Sequence, residues 1–146
     1  MAEMMISILV MSISYAAMSM SAVTAKQTAQ HEAERLATYI SSLMEKSDKI
    51  HNNFYMITAP GYMHINWDSG VQDTSFKATS GCSYSSNFWG GKLTYNSLRK
   101  RFRSGGTITI TDSQGEVYYV IIAGITEGRI RISPANNASS NETPSE

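Results

Sequence analysis

Apolar and polar residues fall into three regimes along this chain. The first is residues 4–25, MMISILVMSISYAAMSMSAVTA, which contain no Asp, Glu, Lys, Arg or His. As a helix, about 22 residues would span roughly 33 Å, which matches a hydrocarbon core of about 30 Å. The segment is only moderately apolar, because Ser7, Ser12, Ser14, Ser19, Ser21 and Thr24 interrupt it. A hydroxyl in a helix can bond back to a carbonyl one turn earlier, which lowers its cost in lipid. Small residues such as Ala16, Ala17 and Ala22 suit close helix packing in a membrane. A cleaved secretory signal is the competing reading, with Ala22-Val23-Thr24-Ala25 as the cleavage site. That reading lacks a basic start and needs a shorter apolar region. A buried helix of a soluble protein is disfavoured by six turns without a charge. The pattern therefore predicts a membrane-spanning helix.

The second regime begins at Lys26. No Gly or Pro occurs from Lys26 to Ile50, so nothing breaks the helix there. Ala29, Ala33, Leu36, Ile40, Leu43 and Ser47 recur every three or four residues, with Ala37 and Met44 beside them. That spacing predicts an amphipathic helix with one apolar stripe. His31, Glu32, Glu34, Arg35, Glu45, Lys46, Asp48 and Lys49 are expected mostly on the other faces, and Asn52 and Asn53 are the expected terminators. The two regimes read as one continuous helix from about residue 2 to about residue 50.

After Pro60-Gly61 the period changes to two. Met63, Ile65 and Trp67 alternate with His64 and Asn66, as in a half-buried strand. Residues 68–91 are rich in Ser, Gly, Asn, Asp and Thr and read as a loop with one short strand near Phe76. Further strands are predicted around Leu93 and Tyr95, over 107–111, over 116–123 and over 129–133. Asp112-Ser113-Gln114-Gly115 is the expected hairpin turn. Residues 134–146 (PANNASSNETPSE) have no apolar run and read as a disordered tail. The expected fold class is α+β, a small antiparallel sheet packed on the second half of a long N-terminal helix. The expected divisions are 1–25 as the membrane half of the helix, 26–133 as the globular domain, and 134–146 as the tail.

Composition changes this picture little. Twelve basic and twelve acidic residues give a formal net charge of zero, so overall charge calls for no polyanionic partner. Charged residues are 16% of the chain, low because the first regime holds none. The single cysteine, Cys82, cannot form an internal disulfide and reads as a small buried or half-buried apolar residue. His31, His51 and His64 fall on different predicted elements without Cys or carboxylate partners at ligand spacing, so no metal or other cofactor is expected. Gly90-Gly91-Lys92 and Gly105-Gly106-Thr107 lack the full phosphate-loop pattern and read as turns. No serine sits in Gly-x-Ser-x-Gly. No active site is expected, and the chain does not read as an enzyme.

Two features lead to a family. The start, Met1-Ala2-Glu3-Met4-Met5-Ile6-Ser7-Ile8-Leu9-Val10, places a carboxylate at the edge of an apolar helix that then turns amphipathic. Near the other end stand Gly105-Gly106-Thr107-Ile108-Thr109-Ile110-Thr111-Asp112 and Gly128-Arg129-Ile130-Arg131-Ile132. Together these resemble the type IV pilin-like minor pseudopilins of the GspH/FimT family, over the whole chain except the tail. Pilins carry a short basic leader ending in Gly, with the Glu a few residues later. Here Glu3 stands early, so the natural start is expected upstream of Met1. The resemblance implies a pilin-like fold and a single-pass protein of the inner membrane whose domain lies on the periplasmic or extracellular side. It implies a structural role in a type IV pilus or type II secretion pseudopilus, with other pilins or pseudopilins as partners. It also implies that Glu3 pairs with the N-terminal amine of a neighbouring subunit, which would make a carboxylate tolerable in lipid.

The basic residues give a second reading. Arg99, Lys100, Arg101 and Arg103 cluster before the closing hairpin, and Arg129 and Arg131 lie two apart on a predicted strand. Alternation should send both arginines to one face and Ile130 and Ile132 to the core. Two guanidiniums on one exposed face can grip phosphates. They can equally be solvated, or pair with Glu116 or Glu127. In the family the resemblance suggests, Gly-Arg-x-Arg is linked to DNA capture, so a receptor for double-stranded DNA is the alternative. An unrelated signal-anchored envelope protein is a third reading.

Overall fold

The computed structural model describes residues 28–124 and 129–135. The predicted membrane segment, Glu3 and residues 136–146 lie outside the described residues. Within them the chain is α+β, with one helix packed on two antiparallel sheets.

The helix α1 runs Thr28–Ile50. Its buried face is the predicted stripe of Ala29, Ala33, Leu36, Ile40, Leu43 and Ser47. It stops at His51, which takes φ +52°. The Asn52 amide then donates to Ser47 O at 3.2 Å. That six-to-one bond past a left-handed residue is the Schellman way of satisfying a helix C-terminus. His51 is therefore the terminator, and Asn52 only supplies the closing N–H.

Nine strands follow among the described residues. β1 is Phe54–Ala59, β2 Tyr62–Trp67, β3 Thr74–Lys77, β4 Ser83–Ser86, β5 Leu93–Asn96, β6 Arg101–Phe102, β7 Gly106–Thr111, β8 Val117–Ile122 and β9 Ile130–Pro134. The first sheet has the order β3-β2-β1-β5-β6, and the second β4-β7-β8-β9. The topology corrects two expectations. There are two sheets, not one, and β1, β4 and β6 occupy segments with no predicted strand. In β1, Phe54 and Met56 face inward, but Ile57 is exposed and blurs the alternation. In β4 only Tyr84 is fully inward, among serines, so its apolar signal is a single residue. Pro134, read as the start of the tail, closes β9 opposite Tyr118.

The core lies between α1 and the inner faces of both sheets. Phe54 stacks on Tyr95 at 5.3 Å and meets Trp67 at 5.2 Å, and Phe102 closes on Tyr95 at 5.1 Å. From the second sheet come Ile108, Ile110, Val120 and Ile122. Ile130 and Ile132 pack against the same core from the edge strand. A close approach joins the sheets' ends. A Cβ on Gly124 would lie 2.1 Å from the Ser104 carbonyl carbon, so only glycine fits there.

Candidate functional site

Two polar clusters stand out, one inside the fold and one on its surface.

The inner cluster centres on Glu32, which was expected on a solvent face but is only 1% exposed. Its carboxylate accepts Arg35 Nε at 3.0 Å and Nη2 at 2.7 Å, the bidentate fork. It also accepts the Thr79 amide at 3.2 Å, the Thr79 hydroxyl at 2.5 Å, and the Tyr84 hydroxyl. Burial alone raises a carboxyl pKa, but here the donors from Arg35, Thr79 and Tyr84 more than reverse it, and Glu32 is lowered to about 2. Burial pushes the Tyr84 phenol well up, and the adjacent carboxylate adds to that, so Tyr84 stays a donor. Arg35 continues outward, donating to Lys77 O at 2.6 Å and lying over the Phe76 ring at 4.2 Å. Phe76 in turn stacks on Tyr39 at 4.4 Å. The cluster ties the first turns of α1 to the β3–β4 connection. No sequence spacing points to Thr79 and Tyr84 as partners of Glu32, since they stand 47 and 52 residues away. Nearby Cys82 is buried and free, and burial, then the charges of Glu32 and Asp112, raises its thiol pKa. It is an unreactive position by this measure.

The surface cluster is the basic one. From residue 74 to 111 the chain holds no Asp or Glu, but holds Lys77, Lys92, Arg99, Lys100, Arg101 and Arg103. The zero net charge thus hides a strongly one-signed stretch. Leu93, Tyr95 and Phe102 turn inward, which sends Thr94, Asn96, Arg101 and Arg103 outward on β5 and β6. The two strands pair Asn96 with Arg101, and the Arg103 amide donates to Thr94 O at 2.9 Å. Asn96 Oδ1 accepts the Arg99 amide at 2.9 Å, and Lys100 takes φ +51°, making the tight turn. Asn96, Arg99, Arg101 and Arg103 surround a concavity of about 330 Å³. A second concavity, about 280 Å³, shares Arg103 and is lined by Trp89, Lys92 and Thr94. Trp89 is 88% exposed. Lys92 Nζ sits 5.0 Å over the Tyr55 ring.

Arg129 and Arg131 behave as alternation requires. Both are exposed, while Ile130 and Ile132 turn to the core. Arg131 lies opposite Ile121 on the outer face of the second sheet. The Ala123 amide donates to Arg129 O at 3.0 Å, and Gly124 abuts Ser104. The backbone next to Arg103 therefore meets the backbone leading to Arg129. Arg99 and Lys100 sit at the opposite end of β5, past Ser97, which is held by Asn53 at 2.9 Å. Among the described residues the ion pairs are Glu32–Arg35 and Glu45–Lys49, so none of these surface arginines has an acidic partner there. Glu116 in particular is not paired with them. Sequence reasoning found these cations, read Gly90-Gly91-Lys92 only as a turn and missed Trp89; the place of Trp89 and Lys92 beside Arg103 depends on that turn, in which the Gly91 amide donates to Phe88 O at 3.0 Å.

Among the described residues no group of His, Cys, Asp and Glu could hold a metal ion. None of their helices is long and apolar enough to cross a membrane. No family model, curated protein or solved structure matches this chain.

Proposed function

We propose that this chain is a membrane-anchored, pilin-like structural subunit, a minor pilin or pseudopilin that joins a type IV pilus or a type II secretion pseudopilus. The observation that carries this reading is α1. Its apolar stripe is spent wholly on the domain core, and the uncharged residues 4–25 stand immediately upstream with no helix breaker between. A helix already committed on one face to its own domain leaves the upstream, all-round apolar stretch to find lipid or neighbouring helices. In this reading Glu3 is the assembly residue, facing the N-terminal amine of the next subunit, and the domain projects on the periplasmic or extracellular side. The test is assembly in cells. Glu3→Ala should reduce filament formation or secretion while the protein stays in the membrane fraction. Undiminished assembly would count heavily against the reading.

A second reading is favoured by arginines that have no acidic partner among the described residues, Glu127 lying outside them. The same anchored domain would bind DNA through Arg129 and Arg131, with Arg99, Lys100, Arg101 and Arg103 contributing. The two roles are compatible in one subunit. Binding should be strongly salt-dependent, because it is carried by phosphate contacts. An Arg129→Ala/Arg131→Ala double variant should weaken duplex binding. Equal binding by the double variant would remove these two residues from the site.

A further inference from the structure

We infer that the outer surface of β5 and β6 is a groove for single-stranded nucleic acid, with Trp89 as its base-stacking platform. This rests on the nucleic-acid reading above and says which form of the polymer this part of the surface takes. Arg103 lines both concavities, so the two adjoin at it on the exposed side of β5. One end holds Arg99 and Arg101, with Asn96 beside them. The other end holds Lys92 and the indole of Trp89. The cations therefore run along a concave line, as a polymer of phosphates requires, instead of forming an isolated point site.

Trp89 decides between strand forms. Its ring is 88% exposed and makes no ring contact among the described residues. Its neighbour Phe88 is buried and fixes the turn from below, touching the position where a Gly106 Cβ would be. Gly90 and Gly91 follow at φ +69° and +76°, with open space around each. Trp89 thus stands exposed, with no side chain crowding it from those two positions. A base can stack on it only if that base is unpaired, and stacking tolerates any sequence. A duplex would offer the track its phosphates but leave the indole unused. An anionic bilayer fits less well, because the cations of this strand pair line concavities instead of a flat face.

The experiment uses the full chain in neutral detergent, titrated with a labelled mixed-sequence 12-mer, with the same sequence as duplex, with a polyuronate, and with anionic vesicles. Anisotropy gives affinity and tryptophan fluorescence gives stacking. Trp67 is buried, so quenching on binding reports on Trp89. The expected result is tighter binding of the single strand than of the duplex, with quenching. Trp89→Ala should weaken single-strand binding about five- to 150-fold, and Trp89→Phe should recover much of it. Arg101→Gln/Arg103→Gln should flatten the slope of log affinity against log salt by about 0.7 for each phosphate that the variant no longer neutralises. Equal single-strand affinity of wild type and Trp89→Ala would overturn the inference. So would polyuronate or anionic vesicles binding as tightly as the 12-mer. Duplex binding that depends on Arg129 and Arg131 but not on Trp89 would leave the DNA reading standing while this inference fails. Absence of binding to either nucleic acid would remove both.

Discussion

Glu32→Gln isolates the buried carboxylate while keeping its volume. In the wild type, Glu32 titrates near about 2 instead of 4.5. That difference, at about 1.4 kcal/mol per pKa unit, corresponds to about 3 kcal/mol of folding stability. A folded-state pKa below the unfolded one stabilises the fold where the unfolded carboxyl would also be ionised. The contribution is therefore complete above about pH 4.5 and is lost as pH falls toward about 2. Gln cannot offer two acceptor oxygens to the Arg35 fork, and its amide N–H₂ would face donors. Urea unfolding of the full chain, followed through the buried Trp67, gives the stability of both forms across pH. At pH 7 the variant should be less stable by about 3 kcal/mol, and at about pH 2.5 the gap should close to about 1 kcal/mol. A loss below about 1 kcal/mol at pH 7, or a gap that does not change with pH, would refute this account of the cluster. Arg35→Met should cost less than the Gln change, because Arg35 is 37% exposed and water can replace part of its fork.

Two other outcomes follow from the geometry. Tyr84 and Tyr95 both have pKa values raised, first by burial and then by hydrogen bonding to Glu32 and Asp48 respectively. A raised pKa leaves stability intact below about pH 10 and removes it above, so alkaline unfolding should weaken when Tyr95 is replaced by Phe, as circular dichroism against pH would register. Gly124→Ala would force a Cβ to 2.1 Å from backbone carbon at Ser104. The cost should be about 1–3 kcal/mol or more in thermal or urea unfolding, and a neutral effect would show that the two loops separate easily.

Much of this protein was legible without coordinates. The three- and four-residue spacing of Ala29, Ala33, Leu36, Ile40, Leu43 and Ser47 determined the buried face of α1, because a helix has only one face for that spacing. Alternation determined that Arg129 and Arg131 point away from the core, and the Asp112–Gly115 turn came from residues with a local preference for it. Strands β1 and β4 escaped because an exposed Ile57 and a run of serines mask the period, and β6 because its two residues are too few to show one. What only the tertiary structure decided is what lies far apart in sequence. Glu32 looked like a solvated helix residue until Thr79 and Tyr84 arrived to satisfy it, and burial of a charge depends on its partners, not on its type. Trp89 shares a concavity with Arg103 only through the pairing of β5 with β6 and the turn at Trp89–Gly91. Local physics sets periods and turns, whereas long-range pairing decides which polar groups share a site.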